Sequence, residues 1–227
     1  MIPAAVVVVT AALTLKSDSG PVKIQINKPR GSVYWGGAGL NGPYINDQVK
    51  AFQDAGIQHI WVGKRSNGDI FDALRSGTDL RYEGSSEDGD WLIAGMEKVQ
   101  SEQFNLIGYS YGSLMAAQTA NVYANHGHII DHLVLIASPV SSGFLDDLRA
   151  NKNIKKVIVI DLKQYNDEIY AGMPQWRLSL ALFTLKKQDE ESGSTRGIGH
   201  FYYRPNSEEG RQRRRQLAAY LKQQGLK

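Results

Sequence analysis

Residues Phe104 to Ala117 read FNLIGYSYGSLMAA, and the organisation of the chain follows from them. Phe104, Leu106 and Ile107 form an apolar run that stops at Gly108, and Leu114, Met115 and Ala117 open a helical pattern. Between the two, Ser110 stands with Gly108 two residues before it and Gly112 two residues after it. The stretch predicts a strand, a tight turn and a helix with a hydroxyl at the tip of the turn. Such a bend needs small neighbours, because a Cβ two residues either side of the serine would collide with the adjoining strand or helix. A G-x-S-x-G pattern by itself is weak; the strand before it and the helix after it give it weight.

The rest of the chain agrees with an α/β arrangement. Its 227 residues suffice for one well-buried domain and are few for two. A hydrophobic content of 42% and a charged content of 22% are ordinary for a globular protein. The net charge of +3 is mild and gives no argument for nucleic acid as a partner. Without cysteine, disulfides, thiolate chemistry and cysteine-based zinc sites are excluded. Further strands are expected at Lys23–Asn27, Ser32–Trp35, Gln58–Val62, Asp131–Ala137 and Val157–Ile160, with helices at Asn46–Gly56, Leu145–Ala150 and Asn206–Lys227. A further helix, capped by Asp88 or Asp90, is expected to run to Val99. Alternation at this spacing argues a mostly parallel sheet flanked by helices, with chemistry at the C-terminal strand ends.

The first residues are open to three readings. Ile2 to Leu15 is an apolar run too short to cross a bilayer as a helix, and no basic residue precedes it. It reads as a buried first strand, as a membrane-associated or export segment, or as a boundary cut from a longer chain. The chain is read as a single domain over residues 1–227, with 1–20 as its apolar N-terminal segment.

At the end of the second strand, Tyr34-Trp35 runs into Gly36-Gly37-Ala38-Gly39. Small residues there expose backbone N–H groups that suit an oxyanion hole, or form a plain glycine-rich turn. His126, His128 and His132 are closely spaced but straddle a helix end and a strand start, which argues against a metal site. His59, inside an expected strand, reads as a packed side chain.

With the elbow, GYSYGS resembles that of the α/β-hydrolase superfamily, its lipase and esterase branches in particular. The resemblance implies a nucleophile, an acid and a histidine in that chain order. Ser110 takes the first place. Asp167, in Asn166-Asp167-Glu168-Ile169-Tyr170, resembles the acid-bearing turn, with Asp161 as the alternative and Asp146 or Asp147 as a third option. His200, in Gly197-Ile198-Gly199-His200, takes the last place. The oxyanion donors implied are the N–H groups of Tyr111 and of Gly37 or Ala38. Tyr34-Trp35 departs from the pattern, since many esterases carry a histidine before the glycines.

Met173 to Lys187 is apolar nearly all round as a helix, with Trp176, Leu180 and Phe183 on one face. It reads as core or as a cap over 168–196 whose three side chains meet an acyl chain. Gln188 to Arg196 reads as a mobile surface loop. Arg211, Arg213, Arg214 and Arg215 read as a solvated face or as a membrane-surface contact. The resemblance implies a serine esterase, lipase or phospholipase acting on lipid acyl esters with no cofactor or metal. A soluble small-ester or thioester hydrolase and a non-catalytic binding module are the alternatives. Length and apolar start also look similar to bacterial lipase effectors, which would make the chain exported or delivered; otherwise it is cytoplasmic.

Overall fold

A computed structural model of the chain describes residues 27–37, 43–63, 96–192 and 196–227, leaving aside the side chains of 175, 176, 178–180, 182, 183 and 186. The readings of residues 1–26, of the Asp88 or Asp90 cap and of Ala38 fall outside these residues. So do the side chains of Trp176, Leu180 and Phe183.

Five strands form one sheet, β1 (Gly31–Trp35), β2 (Ile60–Val62), β3 (Phe104–Tyr109), β4 (His132–Ile136) and β5 (Val157–Ile160). Their order across the sheet is β2-β1-β3-β4-β5, and every pairing is parallel. The helices are α1 (Pro43–Asp54), α2 (Tyr111–Asn125), α3 (Ser142–Ala150), α4 (Gln175–Ser192) and α5 (Glu208–Gln223). Winding runs outward from β1 to β2, then reverses through β3 towards β5. The reversal leaves a crevice at the C-terminal ends of β1 and β3, where ligands bind in sheets of this kind.

The period-2 alternation of the strands sorts their side chains into two cores. Val33, Trp35, Phe104, Leu106, Leu133 and Leu135 pack with α2 and α3 on one face. Tyr34, Ile107, Tyr109, Val134, Ile136 and Ile158 pack with Phe52 of α1 and with Leu217 and Leu221 of α5 on the other. Every residue of α2 from Tyr111 to Ala124 is buried. Such a helix needs no polar face, which explains its run of alanines.

Several expectations shift. His59 stands before β2, exposed and with φ of 51°, so it is a turn residue and not a packed strand residue. Met96 to Lys98 forms a short 3-10 turn. Helix α4 continues to Ser192, so residues 188–192 are helix and not loop; both Gln188 and Ser192 are buried. The arginine cluster is not a uniform solvated face. Arg214 is fully buried, its guanidinium bonded to the carbonyls of Tyr203 and Pro205 at 2.7 Å each and to Asp47 at 3.0 Å.

Two glycines set how closely the layers meet. A Cβ on Gly108 would stand 2.5 Å from the Ser113 nitrogen, and one on Gly112 would stand 2.6 Å from the Trp35 carbonyl carbon. Both obstacles are backbone and cannot swing aside. Substituting Gly108 or Gly112 by alanine is expected to cost about 3 kcal/mol or more, as overpacking that only a backbone shift relieves. Urea unfolding of the two variants against wild type, with an alanine placed at exposed Gly143 as reference, measures it.

Candidate active site

The elbow residue sits where β3 hands over to α2. Ser110 has φ of 54° and ψ of −124°, outside the regions a side chain ordinarily tolerates. Such a backbone costs on the order of 1–3 kcal/mol and persists because its surroundings over-determine it. Its N–H donates to the Ile136 carbonyl at 2.8 Å, and its carbonyl accepts from the N–H of Ser113 at 3.0 Å and from the Ser113 hydroxyl. Ser113 Oγ is in turn 2.7 Å from Ser138 Oγ, at the end of β4. The turn is thus pinned to β4 and to the first turn of α2, and the hydroxyl projects at the N-terminus of a 15-residue helix.

Asp167 arrives by a different device. After β5, a 3-10 turn at Lys163–Tyr165 ends on Asn166 in the left-handed conformation, with φ of 67°. Asparagine tolerates that conformation better than most residues. The turn aims Asp167 inward. One carboxylate oxygen accepts from the Ile169 N–H at 2.9 Å, and the other lies 2.9 Å from His200 Nδ1. His200 Nε2 lies 2.5 Å from Ser110 Oγ. Asp167 and His200 are each 4% exposed, so this chain of three groups runs through a largely dry interior. Asp161 instead accepts from the Ala171 N–H at 3.1 Å, bracing the loop that follows the acid turn. Asp146 and Asp147 lie exposed on α3.

The oxyanion candidates fare unequally. Tyr111 is the first residue of α2, beside the serine and at the positive end of the helix dipole. Gly37 donates its N–H to the hydroxyl of Tyr44, at 3.1 Å, and so is engaged inside the protein.

The clustered histidines separate. His126 Nδ1 lies 2.8 Å from the Val122 carbonyl, and His128 packs on Tyr123 with ring centroids 5.3 Å apart. His132 Nδ1 lies 2.8 Å from Asn105 Oδ1, whose amide nitrogen donates to Ser32 at 3.0 Å. Burial pushes the His132 imidazole below its usual range. Among the described residues, no three histidines or acids come together as metal ligands would.

The loop that carries His200 is fastened from several directions, and sequence reading missed the fasteners. Arg213 donates to the carbonyls of Arg196, Gly197 and Tyr202 at 3.1, 3.0 and 2.9 Å. Arg214 takes those of Tyr203 and Pro205, so both arginines act on the loop that carries His200. Tyr109, the residue before Ser110, donates its hydroxyl to the His200 carbonyl and lies nearly parallel to the imidazole at 6.0 Å. The sequence signal was present: an aromatic with a polar tip, buried at a strand end, needs a hydrogen-bond partner.

Burial above all raises the Tyr109 hydroxyl well above the usual tyrosine range. A group whose pKa is raised by folding lends stability that is complete below its unfolded value, about 10, and is lost as pH rises towards the folded one. Stability should therefore fall between about pH 10 and 11 more steeply in wild type than in Tyr109→Phe, measured by denaturant unfolding across that range.

Residues 90–178 match the family model described as Thioesterase domain, a span holding Ser110 and Asp167 but less than half of the chain. No curated protein and no solved structure matches. The match, together with a parallel sheet that reverses its winding at a G-x-S-x-G elbow, supports the α/β-hydrolase fold for this chain.

Proposed function

We propose that the protein is a serine hydrolase that cleaves acyl thioesters or soluble esters through an acyl-enzyme. The observation that carries this reading is the alignment of Ser110 Oγ, His200 Nε2 and Nδ1, and Asp167 at 2.5 and 2.9 Å. A serine hydroxyl is a poor nucleophile unless a base takes its proton as it attacks. His200 Nε2 stands where that base must be. Asp167 accepts a hydrogen bond from Nδ1–H, which fixes the imidazole tautomer and stabilises the imidazolium that forms.

Attack of Ser110 Oγ on the acyl carbon places negative charge on the carbonyl oxygen. The N–H of Tyr111, at the N-terminus of α2, is the donor proposed for it. Collapse of the tetrahedral adduct expels the thiol or alcohol, with His200 returning the proton. Water then repeats the sequence on the acyl-enzyme, using His200 as base again. The match to a thioesterase model over 90–178 supports thioesters ahead of lipid esters. The lipid reading of the sequence drew on the resemblance to lipases and on a cap bearing Trp176, Leu180 and Phe183, whose side chains fall outside the described residues. Among those residues no helix is long and apolar enough to cross a membrane.

The test is turnover of matched acyl thioesters and p-nitrophenyl esters from acetyl to palmitoyl, by wild type and Ser110→Ala. Thioesters should be cleaved fastest, and kcat should drop by about four orders of magnitude in Ser110→Ala. Rates climbing steeply towards palmitoyl, with oxyesters ahead of thioesters, would return the lipid reading. Absence of turnover, with no labelling of Ser110 by a fluorophosphonate, would make the chain a binding module.

A further inference from the structure

Helix α4 lies between the acid and the base in the chain, and its second half ends on both. Gln188 is 5% exposed and uses the two ends of its amide in opposite directions. Its Nε2 donates to the carbonyl of Asn166 at 2.6 Å, and its Oε1 accepts from the backbone N–H of His200 at 3.0 Å. Asn166 is the left-handed residue that aims Asp167, and His200 is the base itself. One side chain therefore ties the turn that holds the acid to the loop that holds the histidine. The amide has a single workable orientation, because flipping it would set donor against donor and acceptor against acceptor.

Space around the amide is equally defined. Gly199 has φ of +54°, and a Cβ there would overlap the Gln188 amide. The glycine before the histidine thus serves the approach of this amide as well as the turn. One helical turn further on, Ser192 Oγ accepts from the Ile198 N–H at 2.9 Å, so the same face of α4 fastens the start of the base loop.

We infer that Gln188 is a positioning residue for the reaction, setting the spacing between Asp167 and His200 by bonding the backbone beside each. It touches no reacting atom. Its work is to hold Nδ1 against the carboxylate while Nε2 faces Ser110. Displacement of a reacting group by about 1 Å can cost about 100-fold in rate, so a bridge of this kind acts on the chemical step more than on substrate affinity. The inference rests on the reading of Ser110, His200 and Asp167 as the catalytic groups.

The test uses the full chain and a fluorophosphonate probe, whose reaction with a serine needs the base but little of the acyl site. Wild type, Gln188→Leu, Gln188→Glu and Ile154→Ala are compared; Ile154 is buried, distant in the fold and a stability control. Phosphonylation is followed per mole of folded protein over a range of probe concentrations. In Gln188→Leu the limiting rate should fall about 30-fold while the half-saturating concentration moves less than about threefold. Gln188→Glu keeps size and the acceptor for His200, but sets a carboxylate against the Asn166 carbonyl; it should fall at least about tenfold. It also serves if the leucine variant does not fold. Ile154→Ala should match wild type per folded molecule, although it unfolds more easily. Both Gln188 variants within about twofold of wild type would overturn the inference and leave the active-site reading standing. Wild type without labelling at Ser110 would overturn that reading, and this inference with it.

Discussion

The missing Cβ atoms at Gly108 and Gly112 are the constraint on which the rest of the structure depends. They let α2 begin directly against β3 and against the end of β1, closer than any side chain would permit. Contact at that distance forces the connection into one residue, and Ser110 takes the backbone conformation that results. The strain is held by short bonds to β4 and within the first turn of α2. The hydroxyl is left at the tip, at the point where the sheet reverses its winding. Nothing about the serine itself is unusual; its setting is.

The partners are held in another way. Asp167 and His200 come from loops, and a loop has no ladder of its own to fix it. Each is held instead by side chains reaching in from neighbouring elements. Arg213 and Arg214 come from α5, Gln188 and Ser192 from α4, and Tyr109 from β3. Arg214 shows why the arrangement is stable. A buried guanidinium would be costly alone, but here it meets two carbonyls and a carboxylate, so burial strengthens the bonds it makes. The carbonyls gain as much, since an irregular loop otherwise leaves them unsatisfied.

What was legible in the sequence follows from this division. The strands and α2 could be read because they are governed by local rules: apolar runs, alternation, and glycines at fixed distance from a serine. The helix expected over Asn206–Lys227 was legible for the same reason, and Ser207 heads α5 with its side chain accepting from the Gly210 N–H. Asp167 and His200 could be named as candidates, and the structure brings both to Ser110; their roles remain those proposed. The fasteners could not be read. Arg213 and Arg214 look like their neighbours Arg211 and Arg215, and only the packing of α5 decides which are drawn inward. Gln188 was hidden by a polar run that continues a helix, where polarity suggested a loop. Gly37 offered an N–H, but the ring of Tyr44 that claims it belongs to the next helix.

Ser110 is made before both helices that secure the His200 loop, α4 and α5. The nucleophile turn can close as soon as β1, β3, α2 and β4 have met. The imidazole cannot take its place until α4 and α5 have docked and supplied their donors and acceptors. A chain still folding, or one that has shed its last helix, thus lacks the donors that fasten the His200 loop beside Ser110. On the proposed reading, reactivity is therefore a property of the completed molecule, since a serine hydroxyl without its base is a poor nucleophile.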